Sequence, residues 1–313
     1  MNQVERGEES PHQPVLYQLS LDSLQPHDGG CYVDATLGAG GHASGILQRA
    51  APDGLLLGLD VDEQALKIAA ERLAVYRNRA TLKRASYATL QKQVNAMGWK
   101  SVDGILFDLG VSSMQLDTPE RGFSFLREGP LDMRFDNRQT ESAEMLVNHA
   151  SEEDLAEIFW KYGEEHQSRK VAIAICAARP IESTLHLAEV ISVALGGRHG
   201  KHHPATRCFQ AIRMAVNNEL TTIEKGLEQA IAVLKPGGRV AVITFHSLED
   251  RVVKRFFQQE GRDCICPDAQ PVCVCGHRAS IKILTKHPQQ TGWEEARLNP
   301  RARSAKLRVA EKL

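Results

Sequence analysis

The chain has 313 residues, enough for one large domain or two modest ones around a full buried core. Its 38 Lys and Arg nearly cancel 39 Asp and Glu, which excludes a global field for a polyanion and confines any nucleic-acid surface to a local patch. No apolar run approaches the ~18–20 residues of a membrane span, and the seven cysteines read as reduced thiols or metal ligands of a cytoplasmic protein.

Met1 to Pro14 is polar and acidic, lacks the apolar core of a signal peptide, and reads as a loose tail. Strand and helix then alternate. Tyr32–Thr36, Leu55–Asp60, Ala80–Arg84 and Val102–Asp108 read as strands, and Ala43–Arg49, Asp62–Tyr76 and Tyr87–Met97 carry helical spacing between them. That alternation predicts parallel strands with crossover helices, hence a doubly wound α/β sheet. From Thr118 the pattern changes. Residues 120–138 have no period and read as an ordered loop, after which helices follow in a row: Ser142–His149, one capped by Ser151 and ending at Gly163, Glu165–Ala178 and Thr184–Leu195. Pro204 opens a helical pattern through about Leu234. The α/β pattern returns at Lys235–Thr244, a Pro-Gly-Gly turn into a buried strand, followed by a helix over Leu248–Gln259 and candidate strands at Lys282–Lys286 and Ala305–Ala310. The division expected is 1–118 and 217–313 as one α/β domain, with 119–216 an inserted all-helical domain.

The chemistry-bearing stretch is Val33-Asp-Ala-Thr-Leu-Gly-Ala-Gly-Gly-His42, in which Gly38, Gly40 and Gly41 lie between a strand and a helix. Glycine lets the backbone turn sharply and a ligand come close, as in nucleotide-binding α/β folds. The segment also fits the loose G-x-G-x-x-A dinucleotide pattern, so an NAD-type reading competes. Asp60, ending the second strand, suits the ribose hydroxyls of any adenosine ligand, or alternatively caps the next helix. Two features favour S-adenosylmethionine. Asp34 precedes the glycines, where a carboxylate suits a cationic amino-acid end and would repel a pyrophosphate. The Leu234-Lys-Pro-Gly-Gly-Arg239 turn resembles one common in class I methyltransferases.

With further blocks the resemblance becomes specific. Asp108-Leu-Gly-Val-Ser-Ser-Met-Gln-Leu-Asp117, Glu120-Arg-Gly-Phe-Ser-Phe125, Gly129-Pro-Leu-Asp-Met-Arg134, His203-Pro-Ala-Thr-Arg-Cys-Phe-Gln210, Phe245-His-Ser-Leu-Glu-Asp-Arg251 and Asn299-Pro-Arg-Ala-Arg-Ser304 follow the glycine stretch in order. Together they resemble the RsmH (MraW) family, from His12 to Ser304. The resemblance implies a class I (Rossmann-like) S-adenosylmethionine-dependent methyltransferase domain with a helical insert. It also implies methylation of the exocyclic N4 amine of a cytidine in 16S ribosomal RNA, within the small subunit or as free RNA. Family cofactor contacts carry over to Gly40, Gly41, His42, Asp60, Tyr87, Asp108 and Gln115; Asp34 and Gly38 join them from the residue reading. Relatives often read Ser-Ser-Pro-Gln where this chain has Ser113-Met114-Gln115, a change that bears on loop rigidity and removes no polar group.

A cytosine amine is a poor nucleophile because its lone pair is delocalised, so acceptors aimed at its hydrogens are needed beside a positioned methyl donor. Many amine methyltransferases carry Asp/Asn-Pro-Pro-aromatic after the fourth strand; this chain carries Asp108-Leu-Gly-Val-Ser-Ser. Asp108 is the candidate acceptor, with Ser112 and Ser113 as helpers; the serines also suit turn capping. His246 follows the fifth strand and is the candidate to orient or deprotonate the base, against a plain helix start with Ser247 as N-cap. A catalytically inactive cofactor-binding ribosome-assembly factor is the competing reading.

Two basic clusters suit RNA phosphates: Arg198, Lys201, His202, His203 and Arg207, and Arg301, Arg303, Lys306 and Arg308. Arg121 and Phe123 are candidates to hold or stack a base, while Phe125 and Trp160 read as core. Cys264-Ile-Cys266 and Cys273-Val-Cys275 form two C-x-C pairs. Their spacing is tighter than the usual zinc pattern, so a hairpin without metal is the reading adopted and a structural four-thiolate site its alternative.

Overall fold

The computed structural model describes residues 14–197, 203–267, 270 and 272–313. The expected N-terminal tail therefore lies, apart from Pro14, outside the described residues. The chain forms two compact units, one from the segments ending at Leu109 and resuming at Gly226, the other from Gly110–Lys225. The helical unit is thus wider than 119–216 at both ends, because the sheet unit hands over directly after its fourth strand rather than at the change in composition.

Among the described residues the sheet unit holds eight strands: β1 (Cys31–Asp34), β2 (Leu55–Asp60), β3 (Ala80–Arg84), β4 (Val102–Asp108), β5 (Leu234–Thr244), β6 (Ile281–Ile283), β7 (Gln289–Gln290) and β8 (Lys306–Lys312). Their order is β3-β2-β1-β4-β5-β8-β6, with β7 beside β8. The first five are parallel; β8 runs antiparallel to both β5 and β6. Parallel strands covered on both faces read as apolar runs, and β2 and β4 are buried along nearly their whole length. Chain order reverses between β1 and β4, and in open α/β sheets the crevice beyond the carboxyl ends at that point takes the ligand.

Helices Gly41–Arg49, Glu63–Leu73, Leu90–Ala96 and Ser247–Glu260 fall where helical spacing predicted them, with ends shifted by up to three residues. An unpredicted helix, Tyr17–Leu24, buries Ser20, Leu21 and Leu24. Its short length and mixed polarity gave no clear period.

The helical unit packs Ala143–His149, Glu152–Gly163, Ser168–Ala178, Thr184–Ala194 and Thr206–Val216 around a core including Phe159, Val171, Ile175, Leu187 and Ile212. Ser151 caps as expected, its hydroxyl accepting from the Asp154 N–H at 3.0 Å. The single helix expected from Pro204 to Leu234 is two. It breaks at Asn217 and Asn218, the latter left-handed at φ 49°, before Glu219–Val233 resumes. Asparagine tolerates that conformation better than other non-glycine residues, and neither Gly nor Pro marks the break.

Candidate active site

Three carboxylates end three adjacent parallel strands: Asp34 on β1, Asp60 on β2 and Asp108 on β4. Asp60 accepts from the Gly38 N–H and the Asp62 N–H, each at 2.8 Å, so it holds the glycine turn. It does not cap the following helix; Asp62 does, accepting from Gln64 N–H at 2.9 Å. Asp34 is 1 % exposed and accepts from the Thr36 N–H at 3.3 Å. The Thr36 hydroxyl in turn accepts from the Asp108 N–H at 2.6 Å. Thr36 thus links the Asp34 carboxylate to the backbone of Asp108. Sequence reasoning passed over it, although it stands inside the Asp-Ala-Thr-Leu-Gly motif.

Burial pushes Asp34 up to about 7, and the charge of Asp60 adds to this against the backbone N–H groups that favour ionisation. Asp60 is raised by burial too. Asp108 is pushed up to about 8, first by burial and then by the charges of Asp34 and Glu249. Its Oδ1 is buried with no hydrogen-bond partner among the described residues, while the side chain as a whole stays 27 % exposed. Three carboxylates that burial and mutual repulsion disfavour as anions form a site suited to a positive ligand.

The glycine turn fits closely packed surroundings. Gly40 is left-handed at φ 76° and precedes the helix, and a Cβ there would stand 3.3 Å from Ala69 Cβ and 3.4 Å from its Cα. Gly38 is left-handed at φ 51°. A Cβ on Gly41 would collide with Pro14 at 2.4 Å. Gly40→Ala is expected to destabilise the fold by about 1–2 kcal/mol from backbone conformation alone; chemical denaturation measures it.

His42, on the first turn of that helix, is 4 % exposed and stacks on Tyr17 at 5.9 Å. Burial lowers it to about 4, outweighing the backbone of Val15 that favours protonation. The ring is therefore neutral at neutral pH, and its 3.7 Å approach of Nε2 to Asp108 Oδ2 is no ion pair. Tyr87 begins a short 3₁₀ turn and sets its ring edge-on to Phe107 at 5.5 Å. Gly226 admits that ring, since a Cβ there would lie 2.6 Å from Tyr87 Cδ2.

His246, not Ser247, is the N-cap of helix Ser247–Glu260. Its Nδ1 accepts from the Glu249 N–H at 3.4 Å, and Glu249 Oε2 accepts from Phe245 N–H at 2.8 Å and His246 N–H at 3.3 Å. His246 Nε2 also lies 3.0 Å from Glu249 Oε1. The reciprocal capping fixes the ring, and Glu249, fully buried, extends the acidic field toward Asp108.

In the helical unit Ser112 caps the short helix Ser113–Asp117. Its hydroxyl accepts from Gln115 N–H at 3.2 Å, and Gln115 Oε1 accepts from Ser112 N–H at 3.0 Å. Ser113 is the first helical residue. Arg121 donates to the carbonyls of Arg134 and Phe135 at 2.9 and 3.3 Å and lies over the Phe123 ring. Phe123 itself is 7 % exposed and stacked on Phe135 at 5.3 Å. Its expected role as a base platform is corrected, because the ring is buried in the unit's own packing, while Arg121 is only partly buried. Trp160 is corrected the other way, being 58 % exposed rather than core. Phe125 is partly buried against Phe209 and His203.

Arg207 is exposed at the start of its helix; Lys201, with Arg198 and His202, lies outside the described residues, as does the side chain of Arg301. Arg303 is exposed. Lys306 and Arg308 do not join it. Arg308 is buried and grips Asp250 at 2.7 and 3.2 Å, and Lys306 reaches the same carboxylate at 3.3 Å. Asp250→Ala would strand the Arg308 charge and is expected to cost about 3–5 kcal/mol, read as a lowered denaturation midpoint.

The family model for the MraW methylase family matches residues 9–313. The chain belongs to the MraW methylase family. Relatives called Ribosomal RNA small subunit methyltransferase H include one from Dehalococcoides mccartyi, 50 % identical over 97 % of this chain and 87 % of its own. Another from Thermomicrobium roseum is 48 % identical, covering 96 % and 94 %, and one from Syntrophus aciditrophicus is 48 % identical, covering 98 % and 99 %. For a MraW methylase the doubly wound sheet is the class I methyltransferase domain, and the cofactor is S-adenosyl-L-methionine. The carboxylate-lined crevice suits that net cation, and the orphaned Asp108 oxygen and raised carboxylates are what such a ligand would relieve.

Proposed function

We propose that this chain transfers a methyl group from S-adenosylmethionine to the N4 amine of a cytidine in 16S ribosomal RNA, in the cytoplasm, as RNA or within the small ribosomal subunit. The observation carrying this reading is the Asp34, Asp60 and Asp108 set on adjacent strand ends, with Asp108 partly exposed and one of its oxygens unsatisfied. When bound, the cofactor supplies a methyl group on a sulfonium already activated for attack. Asp34 suits its ammonium end. Asp60 keeps spare lone pairs for ribose hydroxyls after accepting its two backbone N–H groups. Gly38 leaves room for close backbone approach, and the turn with Gly40 and Gly41, together with Tyr87, His42 and Gln115, lines the cofactor by family resemblance. Asp108, ionised by the arriving cation, accepts from the cytosine amine, localising its lone pair and taking its proton after transfer. Ser112, Ser113 and His246 help to orient the base.

Lys201, Arg207, Arg301 and Arg303 are the proposed phosphate contacts, and the target base must be unpaired or flipped to reach the methyl donor. The test is incubation with labelled S-adenosylmethionine and unmodified small subunits or free 16S RNA, then nucleoside mapping. N4-methylcytidine at one position is expected. Methyl on another atom would contradict the target assignment, and cofactor binding without any transfer would support the inactive assembly factor instead.

A further inference from the structure

The segment 261–280 joins helix Ser247–Glu260 to β6, and its described residues form no helix or strand. A connection that long inside a compact domain needs something to order it. Apolar burial does not supply this, because Ile265, Val272 and Val274 are 43 %, 69 % and 73 % exposed. What the segment does bring together is its cysteines. The sulfurs of Cys264, Cys266, Cys273 and Cys275 all lie within 4.8 Å of one another. Cys264 and Cys273 are 3.4 Å apart, Cys273 and Cys275 3.6 Å, and Cys275 and Cys264 3.8 Å.

We propose that these four cysteines bind one zinc ion that orders this connection. A tetrahedral zinc with Zn–S of about 2.3 Å sets its sulfurs about 3.8 Å apart, close to the 3.4–3.8 Å among Cys264, Cys273 and Cys275. Sulfurs 3.4–3.8 Å apart, with the fourth within 4.8 Å of each, are not paired as disulfides, whose sulfurs approach to about 2.05 Å. Nor do they suit an iron–sulfur cluster, whose four thiolates are spread over two or four irons and cannot all stand this close together. Two backbone donors already point at the sulfurs: Ile265 N–H to Cys275 at 3.5 Å and Cys266 N–H to Cys264 at 3.4 Å. Donors to coordinating atoms hold such ligands in place and stabilise thiolate charge. The short C-x-C spacing works because two arms, rather than one loop, close the site: 264–266 on one side and 273–275 on the other. All four positions are filled by protein, which makes the ion structural and leaves it no place for substrate.

The test is elemental analysis of the full chain purified without chelator or metal-affinity resin. About one zinc per chain is expected, falling below about one tenth in the Cys273→Ser/Cys275→Ser variant. Circular dichroism would show that variant folded, and hydrogen exchange would show 261–280 losing protection in it. Wild-type chain that lacks zinc and fails to take up one equivalent against a chromogenic chelator would overturn the proposal. So would iron in zinc's place.

Discussion

Asp108→Ala is expected to lower methyl transfer by about three orders of magnitude or more, the scale set by losing both a proton acceptor and a preorganised charge. Asp108→Asn should fall between, because its amide oxygen still accepts from the amine but takes no proton. The fold should respond in the opposite sense. Asp108 titrates at about 8 in the folded chain against 3.8 ordinarily, so the folded state holds the extra proton between those values. Stability therefore falls as pH rises from about 4 to about 8 on account of this group. Asn removes that cost, so Asp108→Asn should raise the melting temperature at pH 9 and leave it nearly unchanged at pH 4. A variant that loses activity while gaining alkaline stability marks a functional carboxylate rather than a structural one. Wild-type transfer rates in Asp108→Ala would remove Asp108 from the chemistry.

Asp34→Asn is expected to weaken S-adenosylmethionine binding by about one hundredfold, the loss of a buried charge facing a cation. Asp34 lies 1 % exposed among Asp60, Thr36 and the glycine turn, so its charge is little screened. Isothermal titration measures this directly, and RNA affinity in the same variant should stay near wild type. Equal losses of both would indicate that the substitution had disturbed the fold.

The strand ends and the glycine turn were legible because they depend on local pattern. Apolar runs ending in acids placed Asp34, Asp60 and Asp108, and parallel alternation brought the carboxyl ends of their neighbouring strands to one end of the sheet. Properties set by distant partners were not legible. The bond from Asp108 to Thr36 spans β1 and β4 and requires the register of that pair. Lys306 and Arg308 looked like free cations because Asp250, which takes up their charge, lies more than fifty residues earlier on a helix. Phe123 and Trp160 exchanged expected roles because one aromatic in an aperiodic loop, or on a helix with several apolar positions, does not reveal its facing. His246 displaced Ser247 as cap because an imidazole nitrogen can accept where a hydroxyl was expected. The cysteine pairs were visible, but only the fold of 261–280 brings their sulfurs to one point.

The central claim is that the strand-end carboxylates await a cation and give up protons to receive it. The direct measurement is S-adenosylmethionine affinity from pH 6 to pH 9, by calorimetry in buffers of differing ionisation enthalpy. Asp34 at about 7 and Asp108 at about 8 are largely protonated at pH 6 and must ionise to pair with the ligand. Affinity should therefore rise by about tenfold or more per pH unit below 7, level off above about 8.5, and release protons to the buffer at pH 6.5. Affinity independent of pH, with no proton released, would contradict the account.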